Sequence, residues 1–299
     1  MSITMILLKQ IITMFLLAAI GFLLYKARLV TDGASKGLGN ILIYTSLPAV
    51  IIKGFLVERT PERMMGLLIS AILAFVILAL FSIISKLVFR KDGIAVFASS
   101  FSNPGFFGVP LIAASISDGA IFYVAAFIGF LNMFQWTYGV AVMTGKSGRI
   151  TAKKIFTAPF FIAILVGLVL FLTALPLPGI LTNVIGNVAG LNTPISMFVV
   201  GGYLAQVDFK KMLLRRENYL VSLMRLIILP VIAALLMHFI PDSYPGLKEA
   251  IFIASACPVG SNVAVYAQLY GCDHTYAAET VVISTLLSVV TIPLLITLI

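Results

Sequence analysis

Apolar segments of about 17–25 residues follow one another along almost the whole chain, separated by short polar connections. An α-helix of that length crosses the hydrocarbon core of a bilayer, which is about 30 Å thick. The chain has 299 residues and only 10% of them are charged, whereas roughly a quarter are charged in a soluble domain. The sequence therefore predicts an all-α polytopic membrane protein without a sizeable soluble domain.

Ten such segments are present, and we interpret each as a membrane span. In chain order they are Met5–Tyr25, Leu38–Val57, Met64–Val88, Ile94–Ile116, Ala120–Met143, Ile155–Ala174, Val184–Gln206, Asn218–Phe239, Leu247–Leu269 and Tyr276–Leu298.

Basic residues cluster in every second connection. Fourteen of the 20 Lys and Arg lie in or next to the connections between spans 1 and 2, 3 and 4, 5 and 6, and 7 and 8: Lys26, Arg28, Lys36, Lys86, Arg90, Lys91, Lys146, Arg149, Lys153, Lys154, Lys210, Lys211, Arg215 and Arg216. Because cytoplasmic loops carry the excess of Lys and Arg, we expect both termini outside the cell membrane. The net charge of +9 then reflects the membrane orientation of the connections. The sequence has no basic patch interleaved with aromatic residues, so we expect no nucleic acid partner.

The chain repeats itself with an offset of 155 residues. The stretch "AVFASSFSNPGFFG" (Ala95–Gly108) in span 4 aligns with "AIFIASACPVGSNV" (Ala250–Val263) in span 9. Spans 2 and 7 likewise each contain a proline, Pro48 and Pro194. Because five is an odd number, the second copy must enter the membrane in the opposite direction. The sequence thus predicts two inverted five-helix repeats, residues 1–148 and 149–299, an arrangement typical of transporters.

Spans 4 and 9 contain residues that disrupt helices near their middles. Proline lacks an N–H and clashes with the preceding turn, and glycine weakens a helix. The predicted crossover or hinge residues are Pro104, Gly108, Pro110, Pro258 and Gly260. We expect two broken helices to direct N-terminal ends, each worth about half a positive charge, at one point, which favours an anion. The alternative is that these residues only kink the spans.

Uncharged amides accompany the breaks and can donate hydrogen bonds to carboxylate oxygens. An asparagine in a span can instead hydrogen-bond a neighbouring helix, and for Asn132 the two interpretations are equally open. No Asp or Glu lies near either break, which favours an anion over a cation. The predicted substrate-binding residues are Asn103, Gly105, Asn132, Gln135, Ser261 and Asn262.

Two ionisable residues within spans are candidates for coupling or gating. Arg225, seven residues into span 8, either contacts substrate, bridges two moving helix bundles or reaches cytoplasmic water. Glu279, near the start of span 10, either lies at the membrane interface or belongs to a proton relay. The two histidines and two cysteines lack metal-ligand spacing, so we expect no enzyme, no metal site and no cofactor.

Four motifs in register resemble the auxin efflux carrier family, specifically its short prokaryotic, malate permease-like members. They are "SNPGFFGVPL" (Ser102–Leu111), "LNTPISMFVVGGYLA" (Leu191–Ala205), "CPVGSNVAVYAQLYG" (Cys257–Gly271) and "STLLSVVTIPL" (Ser284–Leu294). The resemblance implies a fold shared with bile acid:sodium symporters and sodium/proton antiporters. In that fold helices 1, 2, 6 and 7 form a scaffold that usually dimerises, and helices 3–5 and 8–10 form a transport bundle whose fourth and ninth helices cross.

The resemblance also implies an elevator-type movement with substrate bound beside the crossing. Pro104 and Pro258 become the crossover prolines, Asn103 and Asn262 support the site, and Asn132 matches a substrate-facing position. The leading hypothesis is a secondary transporter of a small organic anion, such as malate, malonate or an auxin-like monocarboxylate. The alternatives are a proton- or sodium-coupled transporter of another solute and, more remotely, a membrane receptor with a transporter fold.

Overall fold

The computed structural model describes residues 3–145 and 156–299, which are helical throughout apart from short connections. The helices are α1 (Ile3–Lys26), α2 (Asp32–Phe55), α3 (Pro61–Phe89), α4 (Gly93–Ser100), α5 (Pro104–Ser115), α6 (Asp118–Thr144), α7 (Pro159–Thr173), α8 (Gly179–Gln206), α9 (Phe209–Leu214), α10 (Arg216–Met237), α11 (Leu247–Ala256), α12 (Asn262–Leu269) and α13 (His274–Leu298).

Within the described ranges, seven helices are long and apolar enough to cross a membrane: α1, α2, α3, α6, α8, α10 and α13. Helices α5 and α7 are shorter apolar helices. The prediction of a multi-pass all-α membrane protein agrees with this architecture, while the count of ten spans stays a prediction. The boundary predicted after residue 148, the start of span 6 at Ile155, and the basic residues Lys146, Arg149, Lys153 and Lys154 lie outside the described residues.

Side-chain caps fix where several helices begin. Thr31 accepts a hydrogen bond from the Ala34 N–H at the start of α2, and Thr60 caps α3, which has a proline in its first turn. Asp92 and Asp273 do the same for α4 and α13. Each cap satisfies one of the backbone N–H groups that the first turn of a helix leaves without an intrahelical acceptor.

The helices pack in two groups. In the first, α1 packs along α8, and α2 packs against α7 and α8. In the second, α3 packs against α4 and α6, α10 against α11 and α13, and α11 against α6. The two groups are in contact where α1 packs against α13 and where α2 packs against α6, and an ion pair between Lys53 Nζ and Asp118 Oδ2 (2.7 Å) lies at the second of these contacts.

Helices α1 and α8 approach each other backbone to backbone at two glycines. A Cβ on Gly21 would lie 2.5 Å from the Cα of Phe198, and a Cβ on Gly201 would collide with the carbonyl oxygen of Ala18. Small residues at a helix crossing permit this closeness, which provides much of the packing energy between helices in lipid.

We therefore expect Gly201→Ala to lower the stability of the purified protein, because the added methyl group must push α1 and α8 apart. Overpacking of this kind costs about 1–3 kcal/mol. Gly186→Ala is the matched control, since it lies on the same helix with open space around its Cβ position. Thermal unfolding in detergent measures both, and a Gly201→Ala protein as stable as Gly186→Ala would contradict the close contact.

Candidate substrate-binding site

The segments between α4 and α5 and between α11 and α12 lie side by side inside the protein. The Asn103 N–H donates to the Pro258 carbonyl (3.0 Å), and the Gly260 N–H donates to the Phe101 carbonyl (3.0 Å). These bonds flank an isolated antiparallel bridge between Ser102 and Val259. Non-helical backbone is tolerated away from water only when its polar groups find partners, and here each segment supplies partners for the other.

Side chains satisfy further backbone groups at this contact. Ser102 Oγ donates to the Ala254 carbonyl (2.8 Å), which has no i+4 donor because residue 258 is proline. Ser284 Oγ on α13 accepts from the Val259 N–H (3.1 Å). At Gly260 a Cβ would lie 2.7 Å from the Ser102 carbonyl oxygen, so a glycine is needed where the segments approach.

Helix α5 begins at Pro104, and its first residues explain three of the predicted hinge positions. Asn103 Oδ1 accepts from the Phe106 N–H (3.3 Å) as an N-cap, and Pro104 occupies the first turn, where a missing N–H costs little. Gly108 and Pro110 lie inside α5, not in the non-helical segment, because the Pro104–Gly108 stretch forms a π-turn that continues into the helix. At Gly108 a Cβ would lie 3.0 Å from Cys257 Sγ, so this glycine serves the approach of α5 to α11.

The π-turn and Pro110 release two carbonyl groups of α5, and residues from α8 bind them. The Val109 N–H bonds to Pro104 instead of Gly105, and Pro110 has no N–H for Phe106. Asn192 Nδ2 donates to the Gly105 carbonyl (3.0 Å), and Ser196 Oγ donates to the Phe106 carbonyl (3.2 Å). Both α8 residues are buried, and neither is among the site residues predicted from the sequence. Their spacing could have indicated a role, because they are polar side chains one helical turn apart in an apolar span.

A cavity of about 540 Å³ opens beside the paired segments, between α2 and α7 on one side and α5, α6 and α12 on the other. All six predicted substrate-binding residues line it: Asn103, Gly105, Asn132, Gln135, Ser261 and Asn262. Of the predicted hinge residues, Pro104 and Gly260 also line it. Asn40, Tyr44, Ser102, Thr157 and Tyr266 add further polar groups to mostly apolar walls.

The amides of the cavity are held in defined orientations. Asn262 Nδ2 donates to Gln135 Oε1 (2.8 Å), which links α12 to α6. Gln135 is fully buried, and its Nε2 has no partner among the described residues. Asn132 Nδ2 donates to the Ile128 carbonyl of its own helix (2.8 Å), so this amide bonds locally and not across to a neighbouring helix.

The cavity offers hydrogen-bond donors without a formal charge. The N–H groups of Gly105, Ser261 and Asn262, at the starts of α5 and α12, find no backbone acceptor in residues 3–145 and 156–299. None of the described lining residues is Asp, Glu, Lys, Arg or His. Unpaired N–H groups at helix N-termini carry a partial positive charge and form anion-binding sites.

The two ionisable candidates lie elsewhere. Arg225 is fully buried, does not line the cavity and donates to backbone carbonyls of α4 and α11. Glu279 is 3% exposed and accepts from Arg215 Nη1 (3.2 Å) and Asn218 Nδ2 (3.2 Å). Neither residue contacts the cavity in this structure, and their predicted roles in coupling or gating stay predictions.

Arg215 organises one end of the second helix group. It pairs with Asp273 Oδ2 (3.2 Å) as well as Glu279, and its guanidinium stacks over the Tyr276 ring at 4.2 Å. Burial acts to raise the pKa of Asp273, but the Tyr276 N–H and the Arg215 guanidinium outweigh it and hold that pKa below its ordinary value. These ion pairs fix α10 against α13.

Long apolar helices and an internal cavity lined by hydrogen-bond donors indicate a multi-pass membrane protein. A family model described as a membrane transport protein matches residues 6–296. The chain therefore belongs to this family, and the resemblance to the auxin efflux carriers is confirmed. A protein of Rhizobium meliloti (strain 1021) described as "Putative malonate transporter" is 28% identical over 302 residues, covering 94% of this chain and 92% of the relative.

The contact between α8 and α5 yields a test. Asn192→Ala leaves the buried Gly105 carbonyl without a donor, and we expect a loss of about 1–3 kcal/mol of stability. Thr182→Ala, on the exposed part of the same helix, serves as the control and should change stability by less than about 0.5 kcal/mol. Denaturant unfolding of both variants measures the difference, and equal stabilities would show that the Asn192 hydrogen bond contributes nothing.

Proposed function

We propose that this protein is a secondary transporter of a small organic anion, a carboxylate such as malonate or malate or an auxin-like monocarboxylate. The observation that carries the proposal is the cavity between the helix groups. The N–H groups of Gly105, Ser261 and Asn262 have no acceptor among the described residues, and no described lining residue is charged. The Rhizobium relative adds malonate to the substrates to be tested.

A carboxylate suits this cavity for electrostatic reasons. Its oxygens accept hydrogen bonds only, and bonds from N–H groups to an ionised acceptor are stronger than bonds to a neutral one. The buried Nε2 of Gln135 is a further donor that lacks a protein acceptor. The described lining supplies no acidic side chain, which is the usual intramembrane partner of a coupling cation or proton. We therefore assign substrate binding to Asn103, Gly105, Asn132, Gln135, Ser261 and Asn262.

The proposed architecture has ten spans in two inverted repeats, residues 1–148 and 149–299. In it α4 with α5 forms span 4, and α11 with α12 forms span 9; the two spans are broken and cross at the paired segments. The first helix group is the scaffold, through which we propose a homodimer forms, and the second is the transport bundle. Because the cavity lies between the groups, a sliding movement of the bundle would carry a bound anion across the membrane, as in an elevator mechanism.

The proposed orientation follows from the charge bias of the connections. With the basic connections in the cytoplasm, both termini lie outside the cell membrane. The direction of transport and the driving ion are separate questions that flux measurements answer.

Gln135→Glu tests the sign of the cargo's charge. The substitution keeps the shape of the side chain and the acceptor for Asn262, but it puts a carboxylate where the buried Nε2 lies. Charges about 4 Å apart interact by several kcal/mol near a protein interior, so we expect malonate transport in proteoliposomes to fall about tenfold or more. Gln206→Glu, exposed at the end of α8, is the matched control and should leave transport unchanged.

The opposite result would change the assignment. Malonate transport that survives Gln135→Glu at the level of Gln206→Glu, with equal protein in the membrane, argues against anion binding at this position. Uptake of a cation that rises in the same variant would favour the cation-coupled alternative.

A further inference from the structure

Arg225 is the largest side chain that is fully buried in the described part of the chain. It lies in the π-turn Met224–Ile228 of α10, and its Cζ is 4.9 Å from the centre of the Phe81 ring on α3. It forms no ion pair with any carboxylate of residues 3–145 and 156–299. A buried guanidinium without a carboxylate needs another source of negative potential.

Backbone carbonyls provide that potential. Arg225 Nη1 donates to the carbonyls of Ser99 (3.0 Å) and Ser100 (3.2 Å), the last two residues of α4. Its Nη2 donates to the carbonyl of Ser255, next to the last residue of α11. One side chain thus binds the C-terminal ends of the two helices that precede the paired segments.

These three carbonyls are among those that the interruptions leave without helical partners. The N–H that would bond to Ser99 belongs to Asn103, which donates to Pro258 instead. The residue four positions after Ser100 is Pro104, which has no N–H. The N–H that would bond to Ser255 belongs to Val259, which donates to Ser284.

The charges also balance. Each helix C-terminus is equivalent to about half a negative charge, so two ends together offset one guanidinium. Converging carbonyl oxygens at interrupted helix ends are also the type of ligand that binds exchangeable monovalent cations in transporters.

We propose that Arg225 is a resident cation: it occupies the carbonyl cluster of Ser99, Ser100 and Ser255 permanently, where an exchangeable cation would otherwise bind. The transport cycle then needs no sodium ion or proton at this position. The N-terminal ends of α5 and α12, on the cavity side, keep their positive potential because Arg225 neutralises the C-terminal ends of α4 and α11. Arg225 and the carbonyls that it binds lie outside the cavity, so this role of Arg225 does not depend on the identity of the cargo.

Chemical rescue tests the proposal without any transport assay. In Arg225→Ala the carbonyl cluster loses its cation, and we expect the melting temperature of the purified full chain to fall by roughly 10 °C. Millimolar guanidinium or methylguanidinium should restore at least half of the loss, because either ion can fill the vacated space. Leu229→Ala is the control: it removes a fully buried side chain from the same helix but frees no carbonyl, so guanidinium should not restore its stability.

Two results would overturn the proposal. If guanidinium raises the melting temperature of Arg225→Ala no more than that of Leu229→Ala, then Arg225 contributes only packing. Arg225→Met and Arg225→Lys give a second test if the alanine variant does not fold, because methionine has a similar stem without charge. We expect the lysine variant to melt at a higher temperature than the methionine variant, and the reverse order would contradict a role for the charge.

Discussion

Two backbone hydrogen bonds, Asn103 N–H to Pro258 and Gly260 N–H to Phe101, hold the centre of this structure together. They matter because a helix that stops inside an apolar protein leaves N–H and C=O groups that no water can satisfy. Four further groups are bound by Ser102 in the segment after α4, by Ser284 on α13, and by Asn192 and Ser196 on α8. The packing of α5, α8, α11 and α13 around this point therefore follows from hydrogen-bond requirements as much as from apolar burial.

The interruptions of these helices also separate partial negative charge from partial positive charge. The carbonyl ends of α4 and α11 meet the buried Arg225 guanidinium, while the N–H ends of α5 and α12 meet the cavity. One side is neutralised by a fixed side chain, and the other keeps unpaired donors. We propose that this asymmetry selects an anion and keeps the site uncharged until substrate arrives. It would also explain why the described cavity lining needs no arginine or lysine of its own.

Sequence alone predicted the helical segments well where apolar length determines them: the span drawn at Met64–Val88 is the helix Pro61–Phe89. The six residues that the sequence suggested for binding all line one cavity, and their role in binding stays a prediction. The sequence did not predict that Gly108 and Pro110 lie inside α5. The π-turn Pro104–Gly108 changes the hydrogen-bond pattern just before Pro110, so the helix continues past this proline. The sequence did not predict the contact of Asn192 with Gly105 or that of Arg225 with Ser99. The residues of these two pairs lie 87 and 126 positions apart along the chain, and only tertiary packing brings them together.

A structure of the purified protein with saturating malonate tests the central claim most directly. The account predicts a carboxylate bound in the cavity, its oxygens about 3 Å from the N–H groups of Gly105 and Asn262 and from Gln135 Nε2. Malonate bound elsewhere in a transport-competent protein, or a metal cation coordinated in the cavity, would contradict it.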